Sequence, residues 1–207
     1  MTHQTDEQFI SGFAVEPETM RTARERAETH AVEAVDPAVA ATLTTLARAV
    51  QARAVAEVGT GAGVSGLAFL RGMHPEGVLT TVDIEPDHQS LARKAFTDHE
   101  VANRRFRLIA GAALDVLPKL SDAAYDIVFV DGDRLEYGEC VEEGLRLLRP
   151  GGLLILNDAL WHGKVADQTN EEDETIVVRE ALLALQERED LAVTLLPVGG
   201  GLLVAAR

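Results

Sequence analysis

A glycine-rich loop and a carboxylate that follows it carry the clearest chemical signal in the sequence. From Glu57 to Gly66 the chain reads EVGTGAGVSG, and Asp83 lies twenty residues after Gly63. A loop with so few Cβ atoms can turn through positive φ and approach a ligand closely. A carboxylate at this separation can accept hydrogen bonds from both ribose hydroxyls of a nucleoside. We therefore expect a site for an adenosine-containing cofactor, with a solvated Asp83 that caps the next helix as the alternative.

Two classes of cofactor compete for this loop. Residues 61–66 read GAGVSG and match the GxGxxG pattern of nicotinamide-dinucleotide enzymes, although the preceding strand is expected to end earlier, at Val58. In the other interpretation residues 59–63 form the binding turn, with Glu57 just before it. A carboxylate is badly placed against a pyrophosphate but suits a cofactor with an ammonium and a sulfonium group. This favours S-adenosylmethionine, and an NAD-dependent oxidoreductase remains the alternative.

A second group of polar residues follows two later apolar runs. Asp131 ends the fourth of these runs, and Asn157 and Asp158 end the fifth. The carboxyl ends of neighbouring parallel strands lie at one edge of the sheet, so these side chains are expected to meet near the cofactor. Two carboxylates and an amide oxygen are hard ligands that suit Mg²⁺. The alternative is that Asn157 and Asp158 simply begin a turn.

The elements that would position these residues alternate along the chain. Helices are expected to begin near Ser65, Pro86, Leu114 and Tyr137, between strand-like runs at residues 54–59, 78–84, 106–111, 125–131 and 152–158. This alternation predicts βαβ units and an α/β, Rossmann-like, doubly wound sheet that is mainly parallel. Residues 191–207 instead contain two apolar runs around three consecutive glycines, which predicts an antiparallel C-terminal hairpin.

The N-terminal part of the chain is expected to be helical. Residues 17–35 are rich in Ala, Glu and Arg at helical spacing, and Asp36-Pro37 has the pattern of an N-cap and first turn of a second helix. We expect one domain over residues 1–207, with a helical extension at 1–52 and the Rossmann-like core at 53–207.

Composition limits the partners that the chain can have. A formal net charge of -15 argues against a nucleic-acid partner, since a phosphate backbone would be repelled. The single cysteine, Cys140, is expected to be a buried thiol. The polar, acidic first residues do not read as a signal peptide, and no apolar run is long enough for a membrane span. We expect a cytoplasmic protein with a small-molecule substrate.

Together, these motifs resemble the cation-dependent O-methyltransferases, the catechol and caffeoyl-CoA methyltransferase-like proteins, and most of all their bacterial branch. The resemblance runs from Val35 to the C-terminus and keeps its motifs in order: EVGTGAGVSGLAFL, TTVDIEPDHQSLARKAF, GAALDVLPKL, YDIVFVDGDRLEYGECVEEGLRLLRPGGLLILNDAL and LLPVGGGLLVA. It implies the seven-stranded class I methyltransferase fold and a homodimer. The implied activity is transfer of a methyl group from S-adenosylmethionine to a hydroxyl of a small catechol-like aromatic acceptor, assisted by Mg²⁺ or Mn²⁺.

The resemblance also implies roles for individual residues. The cofactor-binding set would comprise Val35, Glu57, Gly59, Thr60, Gly61, Ser65, Asp83, Ile84, Ala113 and Asp131, and the metal ligands would be Asp131, Asn157 and Asp158. The backbone of Gly59 and Thr60 would face the methionine part, and Ser65 would bind its carboxylate. Asp83 would hold the ribose, and Ile84 would pack on the adenine.

Two departures from the family pattern concern the chemistry. The family usually has Asp-Asn where this chain has Asn157-Asp158, and Asp-Ala-Asp-Lys where residues 131–134 read Asp-Gly-Asp-Arg. That Lys removes the substrate proton in the family, whereas an arginine cannot act as a base. The catalytic candidates are therefore Asp131, Asp133 and Arg134, with Arg134 stabilising a phenolate or recognising an acidic substrate. Deprotonation would then depend on the metal-lowered acidity of the substrate hydroxyl, assisted by Asp133 or His162. A metal-free relative with a different acceptor, or a non-catalytic sensor of the cofactor, is the alternative.

Overall fold

The computed structural model describes residue 9 and residues 12–207. The helix expected over the first residues falls partly on residues 1–8, 10 and 11, which lie outside the described part of the chain.

Between residue 14 and the sheet, the chain forms the helices α1 (Glu18–Thr29) and α2 (Pro37–Ala49). As the Asp-Pro pattern predicts, the Asp36 side chain accepts a hydrogen bond of 2.8 Å from the backbone N–H of Ala38. The expectation that the first helix continues to residue 35 is wrong. Ala31 adopts a φ of 54°, and the Val32 N–H bonds back to the Ala27 carbonyl, which closes the end of α1. Residues 30–36 are consequently free to run along the site described below.

A seven-stranded sheet forms the centre of the molecule, in the order β3-β2-β1-β4-β5-β7-β6. The strands are β1 (Ala54–Val58), β2 (Val78–Asp83), β3 (Phe106–Ala110), β4 (Tyr125–Val130), β5 (Leu148–Leu156), β6 (Ala192–Leu196) and β7 (Leu202–Ala206). The first five are mutually parallel, and β7 runs antiparallel to both β5 and β6. This confirms the predicted fold class. The fifth strand begins at Leu148, four residues before the predicted start, because Leu148 already pairs with Tyr125 before a register shift.

Helices cover both faces of the sheet, as a doubly wound fold requires. The connecting helices are α3 (Val64–Gly72), α4 (Pro86–Asp98), α5 (Ala113–Val116), α6 (Tyr137–Leu147) and α7 (Asp173–Gln186). Side chains of β4 alternate between the two layers: Ile127 and Phe129 pack with α1 to α4, whereas Val128 and Val130 pack with α5 to α7. A strand buried on both faces explains the continuous apolar run in the sequence.

Strand register brings the predicted site residues to one edge of the sheet. Val58 at the end of β1 pairs with Val82 of β2 on one side and Val130 of β4 on the other. Val130 in turn pairs with Leu156 of β5. The residues that follow these four strand ends therefore emerge together, at the point where the strand order reverses and helices leave toward opposite faces. Open α/β sheets bind ligands at such a point.

Two sequence expectations about burial and membranes can be compared with the structure. Cys140 is 1% exposed, and burial, reinforced by Glu136 and Glu139, raises the pKa of its thiol to about 12, as expected of a structural cysteine. None of the helices in the described part of the chain is long and apolar enough to cross a membrane.

The packing of α2 against α3 generates a testable prediction, because a Cβ on Gly72 would lie 2.3 Å from the Thr44 carbonyl oxygen and 2.9 Å from the Ala47 Cβ. Gly72→Ala should reduce the free energy of unfolding by about 1–3 kcal/mol, since a backbone atom cannot move aside cheaply. Gly138→Ala in α6 is the matched control, because no atom lies within 4 Å of its Cβ position. The control should be neutral or stabilise by about 0.5–1 kcal/mol. Guanidinium chloride unfolding measures both, and equal midpoints for the two variants would contradict the packing argument.

Candidate functional site

A cavity of about 720 Å³ opens at the carboxyl ends of β1, β2, β4 and β5. Its walls are the loops after these strands, the segment 31–36 and the turn between β6 and β7. Its volume falls in the range of about 300–1,000 Å³ that is typical of small-molecule sites. The cavity is lined by all but one of the predicted site residues: Val35, Gly59, Thr60, Gly61, Ser65, Asp83, Ile84, Ala113, Asp131, Asp133, Arg134, Asn157 and Asp158.

The glycine loop leads directly into α3 and presents the start of that helix to the cavity. Gly63 is the N-cap, with a φ of 87° that suits glycine. Ser65 stands in the first turn, is 5% exposed and lines the cavity. A helix N-terminus carries partial positive charge and free N–H groups, so it attracts a carboxylate or phosphate.

The first glycine of the loop is required by close approach as well as by conformation. Gly59 has a φ of 90°, and a Cβ there would lie 2.2 Å from the Asp131 carbonyl oxygen. Its N–H donates to the Val82 carbonyl at 2.9 Å, while the Asp131 N–H donates to the Val58 carbonyl. The ends of β1, β2 and β4 are consequently tied together under the cavity floor.

Asp83 holds the loop in place from the neighbouring strand. Its Oδ2 accepts a 2.9 Å hydrogen bond from the Gly61 N–H, and its Oδ1 accepts one from the Glu85 N–H. The His88 ring nitrogen Nδ1 lies 3.2 Å from both oxygens. The alternative of a solvated cap on the next helix does not describe Asp83, because its side chain is 9% exposed and the N-cap of α4 is Glu85. Asp83 lines the cavity, as its predicted ribose-binding role requires.

Apolar side chains border the same part of the cavity. Ile84 follows Asp83 and is 66% exposed, which is unusual for a large apolar residue in this protein. Ala113 and Val35 also line the cavity but are nearly buried. An exposed isoleucine beside a carboxylate provides a surface on which a planar base can pack while its ribose is hydrogen-bonded.

The side chains of Thr60 and Glu57 are buried within the protein. The Thr60 hydroxyl pairs with that of Thr81 at 2.7 Å and accepts from Gln89 Nε2 at 3.0 Å. This leaves its backbone for a ligand. Glu57 is the one predicted residue that does not line the cavity: it is fully buried behind the loop, and neither carboxylate oxygen has a hydrogen-bond partner.

Burial determines the protonation of Glu57. Desolvation raises the pKa of its carboxyl group to about 7, opposed by the nearby Thr81 and Ser65 hydroxyls and reinforced by Asp131 and Asp83. An unpartnered acid of this kind, directly behind the loop, is suited to respond to a positive charge placed in the cavity.

The opposite wall of the cavity is formed by Asp131, Asn157 and Asp158, with Arg134 among them. Asn157 Nδ2 donates to Asp131 Oδ1 at 3.0 Å, and Tyr137 holds the Asn157 backbone through a hydrogen bond from its hydroxyl to the carbonyl oxygen. Arg134 Nη2 lies 3.1 Å from Asp158 Oδ2 and 3.9 Å from Asp131 Oδ1. The guanidinium therefore sits between the two carboxylates.

Burial and neighbouring charges affect the pKa values of the side chains at this wall. Burial raises the pKa of Asp131 above its usual value, an effect that the Asn157 hydrogen bond and the Arg134 charge partly offset. Burial likewise raises the pKa of the Tyr137 phenol far above its usual range, so this side chain serves as a neutral donor.

The donor set does not fit a divalent cation in this arrangement. An ion would need the free lone pairs of Asp131, Asn157 and Asp158 directed at one point. Instead the Asn157 amide donates to Asp131, and a guanidinium faces both carboxylates. Over residue 9 and residues 12–207, no cluster of three or more His, Cys, Asp or Glu side chains is placed to hold a metal.

Several cavity residues were not predicted from the sequence. Glu33, His88 and Glu136 line the cavity. His88 and Glu136 lie inside two of the quoted motifs but have no predicted role, and Glu33 precedes the first motif. The sequence predicts only a turn at Gly200, yet a Cβ there would lie 1.9 Å from Asp158 Oδ1, so this glycine makes room for the carboxylate. The only available signal was the run of three glycines, one more than a tight hairpin needs.

Comparisons with known proteins agree with this geometry. A family model described as O-methyltransferase matches residues 11–207. A provisionally named O-methyltransferase from Mycobacterium sp. (strain JLS) is 49% identical over 201 residues, covering 97% of this chain and 90% of that protein. A crystal structure from Corynebacterium glutamicum aligns with a TM-score of 0.89 at 30% identity, covering 97% of this chain and 94% of the other. The O-methyltransferase TomG from Streptomyces achromogenes, solved with S-adenosylmethionine, aligns with a TM-score of 0.86 at 28% identity and the same coverage.

The buried acid behind the loop generates a prediction for the cofactor-free protein. Because the pKa of Glu57 is raised from 4.5 to about 7, the unfolded chain loses this proton at lower pH than the folded chain. The wild-type free energy of unfolding should therefore lose up to about 3 kcal/mol between roughly pH 4.5 and pH 7 through this group. Glu57→Gln removes the loss, so its stability relative to wild type should rise across that window and level off above it.

Denaturant unfolding at a series of pH values tests this expectation. Glu28→Gln, which changes an exposed glutamate in α1, is the control and should follow the wild-type pH dependence. A Glu57→Gln curve that runs parallel to wild type from pH 4.5 to 7 would show that the carboxyl group is not perturbed as described.

Proposed function

Because this chain belongs to the O-methyltransferase family, whose model matches residues 11–207, we propose that it methylates a hydroxyl of a small, catechol-like aromatic acceptor. S-adenosylmethionine is the methyl donor in this proposal, in keeping with the donor bound to the structurally similar TomG. The observation that carries the proposal is a single cavity with two different walls. Gly59 and Asp83 lie on the first wall, and Asp131, Arg134 and Asp158 lie on the second.

The first wall matches the parts of the donor in order. Ser65 and the N-terminus of α3 would bind the methionine carboxylate. The Asp83 carboxylate would accept hydrogen bonds from the ribose hydroxyls, with Ile84 packed on the adenine. Glu57 behind the loop would complement the positive charge of the amino acid part. The carboxyl group of Glu57 distinguishes this site from a pyrophosphate site, because a carboxylate behind the loop would repel a phosphate. This argues against the nicotinamide-dinucleotide alternative.

The reaction requires alignment more than covalent help from the protein. A lone pair of the acceptor oxygen forms a bond to the donor methyl carbon, and the carbon–sulfur bond breaks with its electron pair staying on sulfur. The products are a methyl ether and S-adenosylhomocysteine. The hydroxyl proton passes to Asp133 or His162, both of which line the cavity, and from there to solvent. Holding the two reactants in line supplies most of the acceleration.

Arg134 serves the acceptor side of this reaction. Its guanidinium cannot act as a base, but it lies at the cavity wall and can stabilise the negative charge that develops on the acceptor oxygen. The homodimer and the cytoplasmic location implied above stay predictions. The divalent cation also stays a prediction, and one that the present arrangement of Asp131, Arg134 and Asp158 disfavours.

Methyl transfer to a panel of hydroxylated aromatics tests the proposed function. With isotopically labelled S-adenosylmethionine, we expect labelled monomethyl ether from catechol-type acceptors and none from the corresponding dimethoxy compounds, which lack a nucleophilic hydroxyl. S-adenosylhomocysteine binding without transfer to any hydroxylated acceptor would instead support the non-catalytic sensor alternative.

A second prediction concerns the ribose-binding carboxylate. The Gly61 and Glu85 N–H groups bond to different oxygens of Asp83, so Asp83→Asn keeps an acceptor for only one of them and also loses the charge. S-adenosylhomocysteine should therefore bind roughly 10- to 100-fold more weakly. Asp87→Asn makes the same change at an exposed position in the first turn of α4 and should leave the dissociation constant unchanged. Calorimetric titration with S-adenosylhomocysteine measures both variants. If Asp83→Asn binds as tightly as Asp87→Asn, Asp83 does not contribute to cofactor binding.

A further inference from the structure

We infer that the guanidinium of Arg134 takes the place of a divalent cation in this chain, so that methyl transfer relies on a fixed internal cation and needs no added metal. The inference deepens the proposed function and rests on it. Its starting observation is that Arg134 Nη2 lies 3.1 Å from Asp158 Oδ2 and 3.9 Å from Asp131 Oδ1, between the carboxylates that would otherwise be ligands.

Other atoms that could act as metal ligands also have close neighbours within the protein. Asp131 Oδ1 accepts the Asn157 amide at 3.0 Å, so this amide presents its N–H₂ group to the carboxylate. Asp158 Oδ1 is packed against Gly200, where a Cβ would lie 1.9 Å away. One oxygen of Asp131 therefore faces the Asn157 amide, and one oxygen of Asp158 faces the backbone of Gly200. These oxygens are not directed at a common position where a metal ion could bind.

Arg134 itself is held firmly in this position. The guanidinium carbon lies 5.0 Å from the ring centroid of Tyr137 and 5.0 Å from that of Trp161. A further hydrogen bond runs from Nη1 to the Gly132 carbonyl oxygen, and the side chain is only 13% exposed. Two aromatic faces and two carboxylates favour a planar, permanently charged group, which a lysine would satisfy less well.

The loop after β5 is shaped to keep this arrangement. Asp158, Trp161 and His162 have φ values of 50°, 45° and 56°, which are uncommon for residues other than glycine. Backbone strain of this kind persists only where surrounding contacts impose it. Here it turns the Asp158 carboxylate toward Arg134 and brings the Trp161 ring over the guanidinium.

The acceptor side of the site would therefore contain the single positive charge of the Arg134 guanidinium, whose N–H groups donate hydrogen bonds in fixed directions. A divalent ion placed beside this guanidinium would be repelled at short range in a partly desolvated site. The acceptor oxygen would instead be positioned by an Arg134 N–H, which can stabilise a phenolate without chelating two neighbouring oxygens. The acceptor range should then include aromatic compounds that carry a single hydroxyl.

Ion binding tests the inference directly. Electron paramagnetic resonance of free Mn²⁺ is measured with wild type, Arg134→Gln and Arg134→Gln/Asp158→Asn, each saturated with S-adenosylhomocysteine. We expect no stoichiometric site in wild type at millimolar Mn²⁺. Arg134→Gln should gain about one ion per chain, bound more than about 100-fold more tightly than in wild type, because the repelling charge is gone. The double variant should lose that site again.

Arg149→Gln is the matched control, since Arg149 also pairs with a mostly buried carboxylate, Asp126, outside the cavity. It should gain no ion, and circular dichroism shows whether each variant is folded. The inference is overturned if wild type binds one Mn²⁺ that Asp158→Asn removes, or if folded Arg134→Gln binds none. Should Arg134→Gln fail to fold, the two wild-type measurements, ion binding and the chelator assay below, decide alone.

The chelator assay separates this inference from the proposed function. With an acceptor identified in the methyl-transfer panel, the wild-type rate should be unchanged by EDTA and by added Mg²⁺. A rate that EDTA abolishes and Mg²⁺ restores would overturn the role of Arg134 while leaving the O-methyltransferase function intact. If no acceptor is methylated, the proposed function fails, and the ion-binding measurements still decide whether Arg134 excludes the metal.

Discussion

The close approach of the Gly59 backbone to the carbonyl of Asp131 is the constraint on which the site depends. No Cβ fits between them, and the Gly59 N–H is bonded to the end of β2. This contact fixes the cofactor loop against the strand that carries the acidic wall, so both halves of the cavity share one floor. Register alone would bring the strand ends to the same edge. The missing Cβ also lets the two walls approach each other, as the proposed transfer from donor to acceptor requires.

The sequence predicts those features of the structure that a short run of residues determines, and it fails where distant contacts or a single backbone angle decide. The strand ends at Val58, Asp83 and Val130 could be predicted to within one residue from apolar runs, because burial on both faces leaves a continuous pattern. The end of α1 could not, since residues 30–35 continue a helical composition and only the φ of 54° at Ala31 breaks it. The residues that line the cavity were found where a motif carried them. Glu57 belongs to the motif but lies behind the loop, because its strand position points it into the protein.

The two departures from the family pattern can be understood as one coupled change. With Arg at position 134, a carboxylate at position 158 gives the guanidinium an ion-pair partner at 3.1 Å. The amide at position 157 then donates to Asp131, which would otherwise face a second unshielded carboxylate. The family order would place an amide opposite Arg134 and leave its charge with a weaker partner. No motif could reveal this, because the coupling joins residues that follow two different strands and depends on the geometry of their side chains.

The unfavourable features of the protein are concentrated around the same cavity. Glu57 is a buried acid without a hydrogen-bond partner, and three residues after β5, Asp158, Trp161 and His162, adopt strained backbone conformations. Such features cost stability, and the well-packed layers on both faces of the sheet offset that cost. A protein selected for stability alone would replace Glu57 with an apolar residue and relax the loop. Their presence beside one cavity is therefore better explained by the proposed ligand binding, in which the positively charged part of the donor would lie in front of Glu57 and the strained loop would hold Asp158 and Trp161 against Arg134.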